Sequence, residues 1–224
     1  MPNAGVDGGV TGPVVDGVVR EKRRVGRPAG AQSGQTREAL VWSAVERFAR
    51  EGLARTTLRE VAQGAGLTQG TLYHHFSAKS ELYMTAYVFA VEELYRHFRE
   101  AVADEPSLRG RVSALLDCML RLQTDAPHLL TFILRAWVEH ESESEELPPL
   151  PIPAAVTEFL QLLSGDAVDR GEIAAEDVDG LVAVFRSVAW GVGVLSLTSQ
   201  QPTAAVEGFK KLFEGRLMRD VVRD

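Results

Sequence analysis

Gln69, Gly70, Thr71, Tyr73 and His74 crowd into one short stretch that opens directly after Thr68. Their chemistry is that of recognition. A glutamine amide carries one acceptor and two donors and can pair with an adenine edge. A threonine methyl matches the thymine methyl, and a glycine lets backbone approach closely. Tyrosine and histidine suit phosphate or base contacts. Catalytic patterns are missing: the sequence contains no Ser-His-Asp order, phosphate loop or dinucleotide fingerprint. His74 and His75 are adjacent, so on a helix they point to different sides. His128 and His140 lie twelve residues apart without a third ligand, so neither pair predicts a metal site. Cys118, the single cysteine, sits in an apolar stretch and reads as a small buried hydrophobe, which also excludes a disulfide framework. No catalytic residue, metal or cofactor is called for.

The elements around this stretch place it at the start of a short helix. Helix 1 is expected from about Thr36 to Glu51, with Leu40, Val41, Ala44, Val45, Phe48 and Ala49 on one face and Gly52 as its stop. Thr57-Leu58-Arg59-Glu60 is a capping-box pattern that opens helix 2. Gly66 supplies a tight turn, and Thr68 caps helix 3, which runs to about His75 with Leu72 and Phe76 inward. Two short helices joined this way form a helix-turn-helix, whose second helix presents its first turns to the major groove. An ordinary helical hairpin with a solvated face has the same spacing.

Charge bears on the nucleic-acid reading. The net charge is −7, yet residues 20–80 hold 11 Lys and Arg against 5 Asp and Glu, whereas residues 86–224 hold 13 against 23. Affinity for a phosphate backbone depends on the local basic footprint, so an acidic total is compatible with a DNA-binding N-terminal part. Residues 1–34 are rich in small residues, read as disordered, and carry the cluster Arg20, Lys22, Arg23, Arg24 and Arg27. That cluster is either a solvated charge run or a flexible arm entering a narrow minor groove. Val25–Ala29 resembles the Gly-Arg-Pro centre of AT-hook segments, which places Arg27 on DNA. No apolar run approaches the roughly 18 residues of a membrane span, and no signal peptide is evident, so a cytoplasmic protein is expected.

The run T-T-L-R-E-V-A-Q-G-A-G-L-T-Q-G-T-L-Y-H-H-F-S-A-K-S-E-L, Thr56 to Leu82, resembles the N-terminal DNA-binding domain of TetR-family regulators. The likeness is dense over residues 37–83. It implies that Thr57 and Tyr73 hydrogen-bond phosphates and that Lys79 pairs with a phosphate beside the recognition helix. It also implies that Gln69, Thr71 and His74 face the groove, with Arg37 and Arg55 as peripheral phosphate partners. Gln69 departs from the Lys or Arg common at its place, which shifts that contact towards neutral base reading.

The whole is read as all-α. It comprises an arm (1–34), a helix-turn-helix domain (35–80) and a helical effector-binding and dimerisation domain (81–224). Helices are expected at about 77–102, 108–123, 127–139, 154–170, 176–198 and 203–218, with an acidic, proline-rich loop over 141–153. The resemblance implies that the last two helices build a four-helix bundle with their copies, giving a homodimer on a palindromic operator in double-stranded DNA. It implies as well an effector pocket, for which Met119, Phe132, Trp137, Phe159, Phe185 and Trp190 are candidates beside a reading as plain core. A hydrophobic or amphipathic small molecule fits the apolar excess. The functional reading is a ligand-responsive transcriptional regulator, usually a repressor in this family. A DNA-binding protein without an effector and an all-helical enzyme are the alternatives.

Overall fold

The structure is a computed structural model that describes residues 29–142, 149–152, 154–198 and 202–217. The described residues are helical and contain no strand: α1 (Ala29–Arg55), α2 (Leu58–Gly64), α3 (Gln69–His75), α4 (Lys79–Val102), α5 (Leu108–Asp125), α6 (Pro127–Ser142), α7 (Ala154–Asp169), a 3₁₀ turn (Ala175–Asp177), α8 (Val178–Leu197) and α9 (Thr203–Phe213). Arg27 and the rest of the arm up to residue 28 lie outside the described residues, as do 143–148 and 153 of the expected loop.

The expected starts and stops hold where they rest on local chemistry. Thr57 accepts from the Glu60 amide while Glu60 reaches back to Thr57, so both halves of the capping box are made. Thr68 accepts from the Thr71 amide at the head of α3. Gly66 and Gly171 adopt left-handed backbone at the ends of α2 and α7. Two boundaries differ. α1 begins at Ala29 rather than Thr36: helix propagation past an anchored segment is cooperative, and Pro28 precedes the first turn, where proline is tolerated. α9 ends at Phe213, before Gly215 turns left-handed, rather than near residue 218.

Packing explains two glycines inside helices. A Cβ on Gly64 would sit 2.4 Å from the Ser43 hydroxyl, which donates to the Val61 carbonyl at 2.8 Å and locks α2 onto α1. A Cβ on Gly193 would sit 2.1 Å from Leu134 Cδ1, so α6 rests its Leu134 directly on α8. The cost of roughly 1 kcal/mol for glycine within a helix is offset by that close approach.

Two apolar clusters form the interior. The first joins Leu40, Val45 and Phe48 of α1, Val61 and Leu72, and Leu82 to Val91 of α4 to Leu129, Phe132 and Ala136 of α6. The packing is therefore continuous across residue 80. Phe48 stacks on Phe132 at 5.8 Å, and Tyr83 meets both rings edge-on at 4.9 and 5.3 Å. The second cluster gathers α4, α5, α7, α8 and α9 around Phe98, Met119, Phe159 and Phe185. Arg111 on α5 clamps both carboxylate oxygens of Asp166 on α7 at 2.6 and 3.0 Å, and holds that carboxyl far below the usual range.

The shared cluster has a measurable consequence. Phe132→Ala, in α6, should cost about 3–5 kcal/mol. It should also raise amide hydrogen exchange within α1, although the two helices are far apart in sequence. Exchange confined to α6 would show that the cluster does not couple them.

Candidate DNA-binding interface

The α2–α3 pair stands on α1 through small contacts. Val61 and Ala62 of α2 and Leu72 of α3 are buried, and Phe76 closes the pair from below. The Arg37 guanidinium lies 5.1 Å from the Phe76 ring centre, so the cation seals the end of α3. Leu67 donates to the Ala62 carbonyl at 2.8 Å, which closes the turn after Gly66. α3 is thereby fixed with one face inward and the other bare.

On that bare face the candidate residues come together. Gln69, Gly70, Tyr73 and His74 are exposed, Tyr73 to 53%, high for so large an aromatic ring. Thr71 is half-buried, and its hydroxyl lies 2.9 Å from that of Thr68. Its methyl is left as the group with no hydrogen-bonding commitment. A Cβ added at Gly70 would meet only Thr68 Oγ1, at an ordinary 3.7 Å, so nothing inside the protein requires glycine there. Thr57 is exposed, and its hydroxyl is engaged with Glu60 at 2.6 Å. The Lys79 ammonium donates to the Ala54 carbonyl at 3.2 Å and ties the head of α4 to the α1–α2 connection. An ammonium has three N–H groups, so one such bond is compatible with a phosphate contact. Arg55 returns to the Glu51 carbonyl at 3.1 Å.

The six pocket candidates are not brought onto one cavity. Met119, Phe159 and Phe185 belong to the second cluster, and Phe132 belongs to the first, against Phe48 and Tyr83. Trp137 and Trp190 meet edge-to-face at 6.2 Å, and stand 37% and 42% exposed. Helical periodicity identifies an apolar face but not which of two neighbouring cores receives it. Two described hollows lie elsewhere. A groove of about 570 Å³ runs between α1 and α4 beside Arg37, Met84 and Phe89. One of about 270 Å³ lies between α4 and α5 beside His97, Cys118 and Arg121.

Two polar residues of the body escaped the sequence reading. Tyr87 and Tyr95 of α4 lie among the apolar side chains, and burial pushes both phenols above their ordinary pKa. Trp137 acts against that rise at Tyr87, and the Arg186 charge of α8 acts against it at Tyr95. Their only sequence signal was a phenol at helical spacing within an apolar face. Among the described residues no group of three His, Cys, Asp or Glu could hold a metal ion.

Two short helices meeting at a left-handed glycine, the second exposing hydrogen-bonding side chains, define a helix-turn-helix DNA-binding protein built on a helical body. Residues 40–84 match the family of bacterial regulatory proteins, tetR family. The chain is 31% identical over 172 residues to the HTH-type transcriptional repressor KstR2 of Rhodococcus jostii RHA1, covering 73% of this chain and 81% of that protein. It is 24% identical to the regulator SrpR of Pseudomonas putida, over 80% of this chain and 84% of that one. The fold matches that of the fatty acid degradation regulator FadR from Bacillus halodurans, with a TM-score of 0.61, 15% identity and 80% and 94% of the two chains covered. It also matches that of a TetR-family regulator from Marinobacter aquaeolei VT8, with a TM-score of 0.59, 13% identity and 84% and 97% covered. The chain belongs to the TetR family of helix-turn-helix transcriptional regulators. It is a DNA-binding regulator and not an enzyme.

The capping box gives a pH-dependent test. The Thr57 side chain, and then its amide, hold the Glu60 carboxyl below its ordinary pKa of 4.5. A depressed carboxyl stabilises the fold above the unfolded pKa, and that stabilisation is lost as pH falls through the folded value. Thr57→Ala should therefore cost about 1 kcal/mol at pH 7, and less at pH 3. Urea unfolding of both proteins at the two pH values checks this, and an equal cost at both would refute it.

Proposed function

We propose that the protein is a dimeric repressor that reads a palindromic operator through α3 and leaves it when a small hydrophobic or amphipathic molecule enters the helical body. The observation that carries the reading is Gly70: a glycine on an exposed helical face that internal packing does not require. A bare backbone at that point lets α3 approach base edges closely. Gln69 reads an adenine edge and Thr71 offers its methyl to thymine. His74 faces the groove, and Thr57, Tyr73 and Lys79 take phosphates. Residues 35–80 act as the reading head and 81–224 as the sensing and pairing body. Arg27 extends the basic footprint.

Selection of operator DNA from a random pool tests the assignment. On the selected duplex, Gly70→Ala should gain about 0.5–1 kcal/mol of stability and yet bind less tightly. Tyr73→Ala and Lys79→Ala should each weaken binding, and Lys79→Ala should also lower the salt slope by about 1. Undiminished binding by all three would remove α3 from the interface.

Pairing through α8 is supported by its uncovered face. Gly180, Ala183, Val184, Ser187, Trp190, Gly191, Val194 and Thr198 are exposed and recur at helical spacing. Ala175–Leu195 is long and apolar enough to cross a membrane by length and composition, with a mean hydropathy of 1.6, although Arg186 interrupts the apolar run. A face of small and apolar residues is also what close packing against a second copy requires. A Cβ at Gly191 meets nothing within 4 Å in the single chain. Gly191→Glu should therefore leave each chain folded and convert dimer to monomer in sedimentation equilibrium.

An amphipathic effector is supported by the buried Tyr87 and Tyr95 phenols set among apolar walls. The rings of Phe98 and Phe159 meet Tyr95 at 5.5 and 5.3 Å, so apolar surface and a hydrogen-bonding hydroxyl adjoin.

A further inference from the structure

A polar contact between body and head lies where α1 breaks. Gly52 has φ 79° and ψ 175°, a conformation essentially confined to glycine, and α1 is kinked there. The next amide, that of Leu53, is taken up across the break. Glu139 of α6 is its partner: Leu53 N–H lies 3.2 Å from Oε1 and 3.3 Å from Oε2 of its carboxylate. The fully buried Tyr83 of α4 donates its hydroxyl to the same Oε2 at 2.8 Å. A Cβ on Gly52 would lie 2.2 Å from Glu139 Oε1 and 2.9 Å from Arg135 Nη1, so α6 presses onto the break itself.

The residues beyond the break belong to the reading head. Ala54 accepts from Lys79. Thr56, buried to 1% exposure, returns its hydroxyl to the Gly52 carbonyl at 2.8 Å. Thr57 then caps α2. Five residues thus run from the atom that Glu139 holds to the first residue of the helix-turn-helix. At its other side α6 is seated in the body, with Leu134 against Gly193 and Trp137 against Trp190 of α8.

We propose that Glu139 is the positioning residue through which the body sets the pose of the DNA-reading head. Its carboxylate holds the Leu53 amide and the Tyr83 hydroxyl together. A shift of α6 by about 1–2 Å, ordinary for switching helices, withdraws it and frees the 52–57 segment that carries α2 and α3. The carboxylate accepts on both oxygens; a neutral amide keeps one oxygen for the two donors and places an N–H₂ where the second oxygen stood, so it holds them less firmly. The inference rests on α3 as the reading helix.

The test uses the full-length protein and the selected operator duplex. Glu139→Ala should lose about tenfold in operator affinity, within the usual range of coupling between sites. The salt slope should stay unchanged, because no phosphate contact is removed. Glu139→Gln should recover part of the loss. In both variants the Leu53 amide should exchange faster than in the parent. Leu163→Ala, a buried residue of α7 in the second cluster, serves as the control for general destabilisation. It should keep operator affinity within threefold. A loss below threefold in Glu139→Ala, an equal loss in Leu163→Ala, or unchanged Leu53 exchange overturns the proposal. Should Glu139→Ala fail to fold, Tyr83→Phe removes one of the two donors and is held to the same thresholds. Wild-type binding by Tyr73→Ala would instead show that α3 is not the reading helix, an outcome separate from the failure of Glu139.

Discussion

Phe48, Tyr83 and Phe132 come from α1, α4 and α6, and their rings pack within 4.9 to 5.8 Å of one another. The rest of the architecture depends on this trio. α1 is the platform for the two short helices that face DNA, α4 runs from the foot of the recognition helix into the body, and α6 belongs to the body throughout. Close-packed interiors transmit displacement rather than absorb it. A trio of rings shared by these three helices makes the reading head an extension of the body's core. Seven-residue helices such as α2 and α3 are too short to be stable alone, so they take their orientation from that platform.

The parts of the molecule legible in the sequence are those whose chemistry is local. Thr57 with Glu60, Thr68 with Thr71, and Gly66 each involve residues within one helical turn or one backbone angle, and the structure places them as read. The exposed face of α3 was legible for the same reason, since Leu72 and Phe76 fix by spacing which side turns inward. Contacts made at long range were not. Glu139 meets Leu53 across 86 residues, and in the chain it looks like one more acid on an apolar helix. Phe132 resembled a pocket residue because periodicity shows that it is inward, not that its neighbour is Phe48.

Charge and shape divide the work of recognition unequally. The acidic body keeps its surface away from a phosphate backbone, and its ion pairs, such as Arg111 with Asp166 and Lys210 with Asp117, staple helix to helix inside the body. The head carries fewer acids and presents hydrogen-bonding side chains. With glutamine at position 69 the exposed face of α3 carries no charge at this point, and the Gly70 backbone beside it is open to close approach.

The seat of Leu134 on Gly193 carries a consequence for assembly. Because a Cβ at 193 would run into Leu134 of α6, the two helices cross closely at that point. If the uncovered stripe of α8 is where two copies meet, pairing and operator binding share the α6–α8 crossing. Thermodynamic linkage then requires each to strengthen the other by the same factor. The operator acts as a third party to subunit association, and dilution of the protein loosens its hold on DNA without any effector being present.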